Sequence, residues 1–476
     1  MKKVWKGMAV VLCLSLMCSL CACNGNSGGE AGQNSEEVNL VWYLRSTEPA
    51  GFDEVQEEIN QYTLDKINAT VEIRFIQPGD WQQKMQMVMA AKEEFDLVFT
   101  GDWASDFSNM VNMGGLMPLN DLLESTPELK AMYSDAIWDA TSFNGEIYGV
   151  PNNQVIYEQK GLCFIKDMVD KYSLPVQEIT SLEDLTEIYQ TIKDNEPADI
   201  IPARKGFVGQ FDPLETNIKD FVIRDGKVVD PFDERLPQYI LMRDWYQRGF
   251  FPGDVATLTD DASLTKAGKI FCTYGRYLPG SEEKFNLTHD YEIYHVATNE
   301  PFILRASVQS AMTSISATSK NPERAIQLLQ LLQTDKYLLN LISYGIEGRD
   351  YQKDPENENR INRSADAYYV GEFMVGNQFL AYLQPSYSDT VWQETEEANN
   401  NAAADPNIGF AFDQDPVKTE ITNLESVNKE FITILENGLA DPESTYQQVQ
   451  EKKDLAGRQK IMEEIQSQYD AWLAQQ

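Results

Sequence analysis

Val38-Asn-Leu-Val-Trp-Tyr-Leu44, Ala69-Thr-Val-Glu-Ile-Arg-Phe-Ile76 and Phe95-Asp-Leu-Val-Phe-Thr100 together set the architecture. The first and third are short apolar runs, as a strand covered on both faces requires, and the second alternates apolar and polar residues with the period of a strand. Between them Phe52, Val55, Ile59 and Tyr62 recur three or four apart and fall on one face of a helix; Trp81 to Ala91 carries a second helical segment. Strand, helix, strand, helix, strand predicts right-handed crossovers on a parallel sheet, hence an α/β lobe. Ligands of such sheets bind beyond the carboxyl ends of the strands, which points to the loops Arg45 to Glu48 and Gly101 to Trp103.

Further along, Thr180-Ser-Leu-Glu183 fits a capping box at a helix start. Ser319-Lys-Asn-Pro-Glu-Arg-Ala-Ile-Gln-Leu-Leu places Asn321 at an N-cap, Pro322 in the first turn, and Ala325, Leu328, Leu329 and Leu332 on a buried face. Ile461, Ile465, Tyr469 and Trp472 predict a closing amphipathic helix, and residues 354–363 (DPENENRINR) predict an exposed connection. Trp42 and Trp245 lie inside periodic segments and are assigned to the core. The sequence contains no internal repeat.

At the N-terminus Lys2, Lys3 and Lys6 precede the apolar run Met8 to Leu20, the pattern of a secretory signal and too short to span a bilayer, which takes about 20 residues. Leu20-Cys-Ala-Cys23 resembles the bacterial lipobox, which implies lipidation of Cys23 after removal of residues 1–22; ordinary cleavage releasing a soluble protein is the alternative. Residues 24–37 are polar and glycine-rich and read as a flexible tether with a reach of roughly 20 Å.

The chain has 476 residues, enough for about three domains of ordinary size. Its 39 Lys+Arg against 75 Asp+Glu give a net charge of −36, and removal of residues 1–22 takes away three lysines and no acid, moving it to −39. Nucleic acid and other polyanions are poor partners for such a chain, because binding them needs clustered Lys and Arg. Of six cysteines, Cys13, Cys18, Cys21 and Cys23 lie in the targeting segment and only Cys163 and Cys272 in the mature body, too few for a disulfide framework or a zinc cluster. Both sit in strand-like apolar runs, and the sequence leaves open whether they are buried thiols or a pair.

Catalytic signals are sparse. The two histidines, His289 and His295, fall in Thr288-His-Asp-Tyr-Glu-Ile-Tyr-His295, a spacing that puts them on one face of a strand if one forms. No His-Glu-x-x-His, P-loop, strand-linked Gly-x-Gly-x-x-Gly or EF-hand loop is present, so no metal or cofactor is expected and enzyme chemistry would rest on carboxylates alone. Trp103, Trp138, Tyr274, Tyr277 and Trp392 lie near predicted element ends, together with Asn152 and Asn153. Aromatic rings offer faces to sugar C–H groups and amides bond hydroxyls, so this mixture suits a neutral carbohydrate, with core packing as the competing role of each ring.

VNLVWYL, FDLVFTGDW, Gly114-Gly-Leu-Met-Pro-Leu-Asn120, Phe143-Asn-Gly-Glu-Ile-Tyr-Gly-Val-Pro151 and Ala317-Thr-Ser-Lys-Asn-Pro-Glu-Arg-Ala325 occur in this order, and with them the chain resembles the family 1 extracellular solute-binding proteins, receptor subunits of sugar-importing ABC transporters in Gram-positive bacteria. Its tail, from Tyr344-Gly-Ile-Glu-Gly348 through Gly376-Asn-Gln-Phe-Leu380 to Gly409-Phe-Ala-Phe-Asp-Gln-Asp-Pro-Val-Lys-Thr-Glu420, is similar to the C-terminal domain of unknown function in a lipoprotein branch of that family.

The resemblance implies a two-lobed, type II periplasmic-binding-protein-like α/β fold with a helical C-terminal extension. The expected division is residues 38–151 and about 306–360 for lobe 1, about 152–305 for lobe 2, and about 361–476 for a C-terminal region packing on the lobes. It implies ligand contacts from Arg45, Thr47, Asp102, Trp103, Asn152, Asn153, Tyr274, Tyr277 and Trp392, with Arg276 and Tyr277 standing where the family's Gly-Pro-Trp strand end has Pro and Trp. A monomer is expected, held at the outer face of the membrane by a lipid anchor, binding an oligosaccharide without chemistry and docking on ABC permease subunits. A peptide receptor or sensor partner, and a carboxylate-dependent glycosidase, are the alternatives.

Overall fold

In the computed structural model of the 476-residue chain, residues 36–104, 107–258 and 261–476 are described. The expected leader, Cys23 and all but the end of the tether lie outside them. Strand Val38–Arg45 has Ala69–Ile76 on one side and Leu97–Thr100 on the other, both parallel to it. Helices Phe52–Ile67 and Trp81–Ala90 return the chain between these strands, as the periodicity predicts. Antiparallel Met312–Ile315 and then Val150–Pro151 complete a five-stranded sheet. Leu40, Trp42 and Leu44 on one face and Tyr43 on the other are all buried, which explains why the first strand reads as a continuous apolar run. Helices Pro322–Thr334 and Lys336–Tyr344 join the same core through Ala325, Leu328, Leu329, Leu338 and Leu339.

A second sheet runs Ile293–Ala297, Lys160–Ile165, Ile270–Arg276, Ile201–Ala203, and has its own core around Phe164, Tyr189, Trp245 and Phe271. Three stretches of chain pass between the two sheets and are laced together. Glu158 exchanges backbone hydrogen bonds with Phe302, and Phe302–Ile303 pairs in parallel with Ala403–Ala404. The Asn399 amide accepts from the Ile156 N–H at 3.0 Å and donates to the Gln154 carbonyl at 2.7 Å. One side chain thereby serves the polar groups of a buried extended segment, as a segment outside any sheet needs.

The chain beyond residue 361 divides its packing. Tyr368, Val370, Met374 and Tyr382 join the core of the first sheet, whereas helices Lys418–Glu436, Pro442–Leu455 and Arg458–Leu473 build on residues 217–247. Phe221, Ile223 and Val228 of a small antiparallel sheet meet Ile421, Leu424, Ile461 and Ile465.

Several local expectations are corrected. The helix predicted to start at Thr180 begins at Leu185, and the acceptor is Asp184: it takes the N–H groups of Thr180 and Ser181, each at 2.9 Å, so Glu183 closes no box. Asn321 precedes Pro322 as predicted, yet its side chain makes no cap bond. Residues 354–363 form a docked hairpin end: Lys353 pairs with Ile361, which is fully buried, and the Arg360 guanidinium bonds the carbonyls of Gln384 and Tyr387, each at 2.7 Å. His289 and His295 do not share a strand, because Ser281–Thr288 is helical and the strand covers only Ile293–Ala297. Cys163 and Cys272 are free; Thr273 is the register partner of Cys163, so Cys272 points to the opposite face of the sheet and the two sulfurs diverge.

Candidate functional site

The parallel strands of the first sheet end at Arg45 and Thr100, and the next residues converge. The Arg45 guanidinium lies 4.5 Å above the Trp103 ring. That ring is 52% exposed, yet its indole N–H donates to the Ser310 carbonyl at 2.6 Å and it packs against Phe99 and Phe373. It is an aromatic surface held still on one side and open on another. The Asp102 N–H donates to the Gln309 carbonyl at 3.2 Å, fastening the same loop to the passage between the sheets.

Trp103 and Asp102 form one side of a cavity of about 460 Å³, within the size range of small-molecule sites. Its walls come from three places: the loop after the third strand, the passage at Arg305 and Gln309, and the region carrying Thr216, Asp405 and Phe412. Arg305 is the hub. Its guanidinium donates to the carbonyls of Ser142 at 2.7 Å, Asp139 at 3.1 Å and Ile408 at 3.3 Å, and packs 4.8 Å from the Phe143 ring. Burial pulls its pKa down to about 10, against the attraction of Asp102 and Asp139. It stays charged at neutral pH, with its donors engaged by the protein backbone.

Asp405 accepts from the Thr216 hydroxyl at 2.5 Å and from the Asn407 N–H at 2.9 Å. A carboxylate engaged in this way organises the wall. Among the described residues no group of three or more His, Cys, Asp and Glu is arranged to hold a metal ion, and no helix is long and apolar enough to cross a membrane.

Of the residues predicted from sequence, Asp102 and Trp103 line this cavity, and Arg45 stacks on Trp103 without being one of the lining residues. Thr47 is exposed and does not line this cavity. Asn152 is 1% exposed; its amide donates to the Phe373 carbonyl at 2.8 Å. The Asn153 carbonyl accepts from the Gln378 N–H at 2.9 Å. Tyr274 lines a separate cavity of about 370 Å³ with Lys160 and Arg276. Tyr277 packs at 4.8 Å against His295, beside the second sheet. Trp138 is buried, and Trp392 donates to the Ala381 carbonyl at 3.0 Å and packs on Tyr387.

Sequence reasoning missed Arg305, Thr216, Asp405 and Phe412. Gly409-Phe-Ala-Phe412, an alternating aromatic run in a polar stretch, was the one local signal.

The profile of the bacterial extracellular solute-binding proteins matches residues 46–338, and that of a domain of unknown function, DUF3502, matches residues 406–474. A carbohydrate ABC transporter substrate-binding protein of Streptococcus pneumoniae is 26% identical over 99% of both chains. The crystal structure of the N-glycan transport solute binding protein NgtS of Streptococcus pneumoniae is 25% identical over 92% of this chain and 99% of its own, with a TM-score of 0.79. NgtS in complex with Man1GlcNAc and with Man5GlcNAc superposes at TM-scores of 0.68 and 0.65 over the same 92% of this chain, each at 24% identity, covering 100% and 99% of those chains. The fold is therefore two-lobed, and the chain belongs to the bacterial extracellular solute-binding protein family.

Proposed function

We propose that the protein is the extracellular receptor of an ABC importer, that it binds an oligosaccharide between its lobes without chemistry, and that it delivers this ligand to the permease subunits. The observation that carries the reading is Trp103: a half-exposed indole, immobilised by Ser310 and backed by Arg45, facing a cavity whose other walls belong to different parts of the chain. A sugar ring stacked there would touch both lobes, and closure would follow from the ligand's higher affinity for the closed form.

Lobe 1 is taken as residues 38–151 with about 306–360, and lobe 2 as about 152–305. Cys23 is the lipid anchor in this reading. The internal engagement of Asp405 supports binding over glycoside hydrolysis, which needs two opposed carboxylates with protons to give and take.

Calorimetry with N-acetylglucosamine, Man1GlcNAc, Man5GlcNAc and a set of short peptides tests this. Saturable binding of a glycan, with no reducing ends released over hours, is the expected result. Peptide binding alone would overturn it.

A further inference from the structure

The segment Asp405–Gln414 forms a wall of the main cavity through Asp405, Phe410, Phe412 and Gln414, and it belongs to the part of the chain matched as a domain of unknown function from residue 406 on. It has no regular structure of its own for most of its length, yet it is held in place at each end. At one end Asp405 is tied to Thr216 and its N–H donates to the Ile303 carbonyl at 2.8 Å. At the other, helix Arg458–Leu473 grips it: the Gln468 amide donates to the Asp413 carbonyl at 2.9 Å and accepts from the Asp413 N–H at 2.8 Å. Between these ends Tyr469 donates to Asn407 at 2.7 Å, and Phe410 stands edge-on to Tyr469 with ring centroids 5.3 Å apart.

Gln468 uses both halves of its amide on one residue of the strip, which fixes that residue's position as well as its direction. Phe410 is buried as the strip's anchor, leaving Phe412, two residues on and only partly buried, at the cavity. We propose that the C-terminal helices serve as the mount for a third ligand-binding wall, in which Phe412 and Gln414 contact the sugar units beyond the one stacked on Trp103 and so select for chain length. Phe412 is the second apolar platform, Gln414 supplies hydrogen bonds to hydroxyls, and Gln468 and Tyr469 are positioning residues. The assignment rests on the oligosaccharide reading for its ligand class.

The test measures, for the intact protein and for Phe412→Ala, Phe412→Tyr and Gln468→Ala, the affinities for Man1GlcNAc and Man5GlcNAc and for a set of short peptides. Expected is a loss of about tenfold or more for the longer glycan in Phe412→Ala, less than about threefold for the shorter one, recovery in Phe412→Tyr, and an intermediate, length-dependent loss in Gln468→Ala with an unchanged far-ultraviolet circular dichroism spectrum. Equal affinities in all four proteins overturn the third wall and leave the sugar reading standing. Peptide binding without glycan binding overturns the sugar reading, and a loss of peptide affinity in Phe412→Ala would still support the wall. An intact protein that binds no probe overturns both.

Discussion

Trp103 and Ser310 are joined by a 2.6 Å hydrogen bond from the indole nitrogen to the backbone carbonyl, although one follows the third strand of the first sheet and the other lies on the passage back from the second. The approach depends on Gly101, where a Cβ would stand 2.7 Å from that same carbonyl oxygen. The aromatic surface of the cavity is thus registered against the crossing segment, and any change in the loop is transmitted to the ring.

Trp103→Ala removes a side chain that is half exposed, so the fold is expected to survive and the melting temperature to change little. Ligand affinity should fall by about 2 kcal/mol, roughly 30-fold, the scale of one well-buried aromatic contact. Gly101→Ala should also weaken binding with Trp103 still in place, because the loop must move off Ser310. Titration calorimetry of both variants checks this: unchanged affinity in Trp103→Ala would remove Trp103 from the site, and unchanged affinity in Gly101→Ala would uncouple the ring from the approach of Gly101 to Ser310.

Arg305→Lys is expected to cost about 2–4 kcal/mol in urea unfolding, since a compact ammonium reaches few of the three carbonyls that the planar guanidinium satisfies. A midpoint within error of the parent protein would show that the hub is dispensable.

The Lys453 ammonium lies 2.6 Å from Asp230 with both side chains 2% exposed, and Arg458 stands 3.4 Å from the same carboxylate. Lys453→Met should destabilise by about 2–3 kcal/mol, because it leaves the buried Asp230 carboxylate only the longer Arg458 contact. The neighbouring pair Lys452–Glu430 is exposed, and Lys452→Met should stay within about 1 kcal/mol. Denaturant melts of the two variants give the comparison, and similar losses would contradict it.

His295 offers a pH test. Ser281 donates its hydroxyl to the Leu278 carbonyl at 2.6 Å, leaving its oxygen to accept from His295 Nδ1 at 2.7 Å. Nε2 is then a bare, buried lone pair against Gly161, and burial lowers the pKa from 6.5 to about 4. The unfolded chain takes up this proton first, so the stability supplied by neutral His295 is complete above pH 6.5 and is lost as pH falls towards 4, by about 3 kcal/mol. His295→Gln should flatten that part of the stability profile; an unaltered slope would refute the assignment.

Thiol titration checks the sheet register. A chain beginning at Glu36 should give two reactive thiols after unfolding without reductant, and Cys272, fully buried, none before it. A single disulfide by mass would contradict the opposed faces of Cys163 and Cys272.

Much of this architecture is legible locally. The first sheet and its helices follow from periodicity, and Pro322 marks a helix start because its ring suits the first turn. Local pattern fails where a neighbour competes for the same backbone groups: Asp184 takes the Thr180 N–H that Glu183 was expected to serve, and Arg360 draws a polar, loop-like stretch onto the core. Asn152 and Trp392 are residue types suited to sugars, yet long-range packing commits their polar groups to the Phe373 and Ala381 carbonyls.

Periodicity was enough for a parallel α/β lobe with a loop at Asp102-Trp103 beyond one of its strands, and composition for a strongly acidic chain; the two-lobed receptor fold came from the family resemblance that the order of motifs carries. That Arg305 ties the crossing passage to the Ser142, Asp139 and Ile408 carbonyls, and that Gly409-Phe-Ala-Phe412, held by Gln468 and Tyr469, faces the cavity with Trp103, emerged from long-range packing alone. Periodicity and capping are read over one or two turns of chain, whereas a cavity is defined by segments distant in sequence. Their meeting depends on which buried faces pack together, and no short window of residues contains that information.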